Sequence, residues 1–133
     1  MTLAAGETYF YGRFSPERRV PTHLWIVVTD PFGDPPMVPV VSISTRRPES
    51  EDTVVLRSGD HPFVRRESVI FYPDTRMVRA DQLEALLQSG AGARHAKCSA
   101  ELLARVQRGL LDSENVERWI KEMCRGAIDV SGA

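Results

Sequence analysis

The densest set of reactive side chains lies in Asp52–Tyr72, DTVVLRSGDHPFVRRESVIFY, where a polar turn bearing Asp60 and His61 separates two apolar runs. Proton transfer at a phosphate needs an acid or base, a carboxylate to orient it and a guanidinium for the anion. Asp60, His61, Arg65, Arg66 and Ser68 supply those types within one loop's reach, with Gly59 relaxing the backbone and Pro62 stiffening it. An ordinary solvated loop has the same composition. More polar groups stand at strand ends: His23 opens one strand, and Ser42, Ser44, Thr45, Arg46 and Arg47 close the next.

Other chemistries have less support. His95-x-x-Cys98 has metal-ligand spacing, but a zinc site needs a second pair, and Cys124 and His23 are single residues elsewhere. No metal is expected. The chain has no GxxxxGK[ST], GxGxxG or GxSxG, so neither a nucleotide cofactor nor a serine elbow is expected.

The elements that must position these groups come in two blocks. Tyr9-Phe10-Tyr11 suggests a short first strand, and Ser15–Arg19 a polar loop. Strands are predicted at His23–Asp30, Val38–Thr45, Thr53–Leu56 and Glu67–Tyr72, with another short one around Arg76–Val78. Pro39 suggests an edge or strand-entry position for the second of these. Ser42 and Ser44 share one face of it, and Val41 and Ile43 the other. If consecutive strands pair, Arg46 and Arg47 lie at the opposite sheet end from His61.

After Tyr72 the apolar period changes from 2 to 3.6, predicting helices near 80–89, 99–110 and 113–124. Ser99 and Ser113 are the N-cap candidates. Val116, Trp119, Ile120 and Met123 form the last apolar stripe, which predicts a buried Trp119; Trp25 also reads as core. Strands first and helices last predict an α+β domain: a small, strongly bent antiparallel sheet or barrel with C-terminal helices. A single domain is expected over 1–133, β-rich over 8–78 and helical over 79–125, with 126–133 a frayed tail.

At 133 residues and a net charge of −1, the chain is no general polyanion-coating protein, and any nucleic-acid contact must come from local clustering. Two distant cysteines, no signal-like N-terminus and no run long enough to span a bilayer predict a reduced, cytoplasmic protein without a membrane partner.

The succession HLWIVVTDP, PVVSIST, TVVLRSGDHPF and ESVIFY, followed by a capped helix, resembles the MazF/PemK-like toxins of bacterial toxin–antitoxin modules over roughly residues 20–122. That resemblance implies an SH3-like barrel, a homodimer, an acidic antitoxin partner, and metal-independent cleavage of single-stranded RNA through the 2′-hydroxyl. Where the family places an Arg-Pro pair, this chain reads Met37-Val38-Pro39, so the proline is present and the arginine absent. Ser44-Thr45 matches the hydroxyl-bearing end of that strand, and Arg46 or Arg47 could supply the guanidinium from another direction.

Two readings follow. In an endoribonuclease, His61 is the acid or base, Asp60 orients it, and Arg46 or Arg47 stabilises the phosphorane. Ser44, Thr45, Arg65, Arg66, Ser68 and His23 then bind substrate. In a non-catalytic barrel that binds a protein or peptide, the GDHPF loop is a rigid turn in which His61 bonds backbone and Asp60 caps.

Overall fold

The computed structural model describes residues 3–11 and 23–132, with side chains to Ile128; the predicted Ser15–Arg19 loop lies outside them. The described strands are β1 (Thr8–Tyr11), β2 (His23–Val27), β3 (Met37–Thr45), β4 (Val55–Leu56), β5 (Ser68–Arg79) and β6 (Ala93–His95). The helices are α1 (Ala80–Gln88), α2 (Ala100–Asp112) and α3 (Arg118–Gly132). All strand pairs are antiparallel, in the order β4-β5-β3-β2-β1-β6, and the sheet curls into a half-barrel. The α+β class predicted from the patterning is the observed one. No helix among the described residues is long and apolar enough to cross a membrane.

Two apolar layers hold the sheet. Leu24, Ile26, Val41, Ile43, Ile70 and Tyr72 face α2 and α3, where Leu102, Val106, Leu110, Ile120 and Cys124 meet them. Trp25, Val27, Val38 and Val40 face the other way, onto Leu83 of α1. β3 is therefore buried on both faces, which explains its nearly unbroken apolar run.

Pro39 lies inside this central strand, not at an edge or strand entry. The physical reason is local. The Val28 N–H donates to Pro39 O at 2.9 Å just beyond the end of β2, and proline has no N–H to return the bond. Gln107 Nε2 of α2 donates to Val28 O instead, at 2.9 Å. The missing ladder bond is replaced by a buried side chain.

β5 also departs from expectation. It is one long strand, and it inserts between β3 and β4 instead of following β4 in sheet order. Its pairing with β3 jumps from Ser42↔Phe71 to Val40↔Arg76, so Tyr72–Thr75 bulges out and accommodates Pro73. Thr75 Oγ1 closes the bulge by donating to Tyr72 O at 2.6 Å. This insertion places Ser68 opposite Thr45, bringing the end of β3 to the start of β5. β6, which the sequence reading lacks, pairs with β1 at the far edge.

Ser99 caps α2 as predicted, its Oγ accepting Leu102 N–H at 3.1 Å. Ser113 does not open α3: its N–H bonds Gly109 O at the end of α2, and its Oγ accepts Asn115 N–H. α3 starts five residues later and runs on past Gly126, where the sequence suggests fraying, with Ile128 in the core. Its buried positions are Ile120, Cys124 and Ile128, spaced by four and preceded by Val116. Trp119 and Met123 fall one residue off that line and stand 49% and 44% exposed, so the prediction of a buried Trp119 is corrected. Trp119→Ala should accordingly change stability by less than about 1 kcal/mol. Ile120→Ala should cost several-fold more, as read from denaturation midpoints.

Candidate functional site

Because β2 runs antiparallel to β3 and β3 to β5, the start of β2, the end of β3 and the start of β5 meet at one end of the sheet. A cleft of about 280 Å³ opens there, lined by His23, Ile43, Ser44, Thr45, Arg47, Phe63 and Ser68. It brings together five of the ten predicted site residues: an imidazole, a guanidinium and three hydroxyls. No carboxylate lies among its described lining residues. Arg47 makes no ion pair among the described residues, so its charge is available to a ligand. Its backbone N–H is held by Ser50 Oγ at 2.8 Å, which fixes where the side chain departs.

The other predicted residues lie elsewhere. Arg46 is clamped between two carboxylates, with Nη2 2.9 Å from Asp52 Oδ2 and Nη1 2.6 Å from Glu67 Oε1. The hydrogen bonds from Arg46 hold the Asp52 carboxyl below its ordinary range. Arg65 and Arg66 stand exposed on the loop before β5 and do not line the cleft.

His61 is only 3% exposed and has both ring nitrogens engaged. Nδ1 accepts the Phe63 N–H at 3.1 Å, which leaves the proton on Nε2, and Nε2 donates to Ala96 O at 2.6 Å. Ala96 follows β6, whereas His61 follows β4, and these strands are the two opposite edges of the sheet. His61 thus ties the edges of the half-barrel together across its opening. Phe10, Phe63 and His95 pack around the tie, with the two imidazoles 5.2 Å apart. Asp60 caps the same turn: its Oδ2 accepts the Arg57 N–H at 2.7 Å and lies 3.6 Å from Arg105 Nη1. Gly59, at φ +103°, makes the turn possible.

The chain matches no protein-family model, and no curated protein matches it significantly. Burial pushes the Cys98 thiol up to about 11 and the Cys124 thiol up to about 12, so neither is a ready nucleophile. Among the described residues, no three His, Cys, Asp or Glu side chains are placed to share a metal ion. The cleft can bind an anion, move a proton at His23 and orient oxygens through Ser44 and Thr45, whereas the buried Ser68 hydroxyl donates to Arg66 O at 2.9 Å. The sequence reading missed Phe63 as a lining residue. Its place directly after the rigid Pro62, in a loop returning to the sheet, was the available signal.

Proposed function

We propose that this chain is a toxin-type, metal-independent endoribonuclease that cuts single-stranded RNA in the cleft at the start of β2. The observation that carries this reading is the convergence of His23, Arg47, Ser44, Thr45 and Ser68 on one cavity with no carboxylate among its described lining residues. His23 takes the proton from the ribose 2′-hydroxyl as that oxygen attacks the adjacent phosphorus. Arg47 stabilises the charge that builds on the phosphoryl oxygens, and the Ser44 and Thr45 hydroxyls hold the backbone. The bond to the 5′-oxygen breaks, and that oxygen takes a proton from solvent in the open cleft. The products are a 2′,3′-cyclic phosphate and a free 5′-hydroxyl. A single-stranded substrate suits the cleft because its bases are free to splay. The toxin-type reading brings with it a cytoplasmic homodimer held by an acidic antitoxin.

The deciding assay is cleavage of mixed single-stranded RNA in EDTA, with DNA as the control. Arg47→Ala and His23→Ala should each lower the rate by about 10²-fold or more while the melting temperature stays put. Parent protein that is folded, pure and inert towards RNA at several salt concentrations defeats the proposal.

A second reading has its own observation. His61 and Asp60 make the bonds of a structural turn, and Arg46 is consumed by two carboxylates, as a non-catalytic barrel for a protein or peptide requires. An inert parent decides for it.

A further inference from the structure

The sheet face that carries His23 and Ser44 extends beyond the cleft. Cross-strand register places Val69, Ser44, His23 and Tyr11 side by side on β5, β3, β2 and β1. The neighbouring row on the same face is Phe71, Ser42, Trp25 and Tyr9. α1 packs on this face over Tyr9 and Trp25 together with Val27, Val38 and Val40, and the row of Val69, Ser44, His23 and Tyr11 lies outside that cluster. Two large rings are left in the open, Phe71 at 43% and Tyr11 at 42% exposed. They lie on opposite flanks of the cleft residues, one on β5 and one on β1.

Each ring lines a hollow of its own. Phe71 borders a cavity of about 370 Å³ that shares Ser44, Thr45 and Arg47 with the cleft and has Glu49 and Glu51 on its wall, so a base and not a phosphate suits it. Tyr11 borders a groove of about 230 Å³ with Tyr9, Trp25, Arg76 and Arg79, in which the Arg76 guanidinium lies 5.8 Å from the Trp25 ring centre. We propose that Phe71 and Tyr11 are the stacking platforms for the bases on either side of the phosphate that the cleft holds. This inference rests on the ribonuclease reading and supplies its substrate subsites.

The spacing and the chemistry both favour a nucleic-acid strand. Phe71 and Tyr11 are three strand spacings apart, roughly 14 Å, which is room for a few nucleotides of an unstacked strand laid across the sheet. Flat rings at separated stations, with Arg47 between them and Arg76 and Arg79 beside Tyr11, match bases joined by phosphates. A partner helix would need its anchors in one continuous apolar groove. Here Ser44, His23 and Arg47 interrupt the apolar surface with groups suited to a phosphate.

The test separates binding from chemistry. A short single-stranded oligonucleotide with 2′-O-methyl sugars lacks the attacking hydroxyl, and its affinity can be read by fluorescence anisotropy. Phe71→Ala and Tyr11→Ala should each weaken binding about 5- to 100-fold, with Tyr11→Phe at the parent's affinity because the ring remains. The F71W variant adds an optical readout, also decisive should F71A fail to fold. Its fluorescence should be quenched by the oligonucleotide and not by an abasic backbone of the same length. A parent that cleaves RNA but whose affinity ignores both rings overturns this inference and leaves the ribonuclease reading standing. A parent that neither binds nor cleaves overturns both.

Discussion

Replacing His61 with alanine should lower the unfolding free energy by about 3 kcal/mol, even though this residue has the types of neighbour expected of a catalytic base. Two backbone bonds are lost at once, and the Phe63 N–H is left without its acceptor. Ala96 O retains Thr8 Oγ1, which donates to it at 2.7 Å, so most of the cost falls on the turn and on the tie between the sheet edges. A hole also opens among Phe10, Phe63 and His95. His61→Asn keeps an acceptor near the Nδ1 position, and His61→Gln keeps a donor near Nε2. Each should recover part of the loss in urea denaturation. On the proposed ribonuclease reading, RNA cleavage by variants that stay folded should remain near the parent's rate, in contrast to His23→Ala. A His61→Ala protein of parental stability that has lost all cleavage would reverse both assignments.

Gly109→Ala is the second large effect, and its sign opposes the usual helix rule. In an exposed helix interior, glycine to alanine gains up to about 1 kcal/mol. Here a Cβ on Gly109 would stand 2.1 Å from Tyr72 Oη, 2.8 Å from Tyr72 Cζ and 2.6 Å from Val54 Cγ2. Neither neighbour can move cheaply. Tyr72 is fully buried and its hydroxyl donates to Val106 O at 2.8 Å, while Val54 lies in the same core. The substitution should therefore cost about 3 kcal/mol, the upper part of the range for overpacking. Tyr72→Phe in the same chain removes the nearest clash and should return part of the loss, leaving a favourable coupling of about 1 kcal/mol in the double-mutant cycle. A Gly109→Ala protein as stable as the parent would show that α2 shifts away from the sheet without penalty.

Much of this architecture could be read from local pattern. The β-forming run of HLWIV, the alternation in VVSIS, the change to helical spacing after the β-rich part, and Ser99 before Leu102 each follow from short-range geometry. So does the alternation that sends Val41 and Ile43 to one layer while Ser42 and Ser44 share the other face. The candidate site was legible as a set of residue types but not as a place. Five of the ten converge because β3 lies between β2 and β5: the first pairing brings His23 to Ser44 and the second brings Ser68 to Thr45, and nothing within the β3 or β5 segment dictates the latter.

The remaining features depend on contacts between residues far apart in the chain. Pro39 is tolerated in a central strand because Gln107, on a helix, satisfies the carbonyl that proline cannot reach. His61 is a tie because curling of the sheet brings Ala96 to it, 35 residues away. Trp119 is exposed because the core selects the Ile120, Cys124 and Ile128 line of α3, and an apolar stripe alone leaves that rotation open by one residue. Local preference marks most of the strands and helices, since it is a property of neighbouring residues; β6 forms only because β1 offers it an edge. Which strand lies next to which is set by long-range packing, and hence that His23 and Arg47 share a cleft while His61 is buried in the fold.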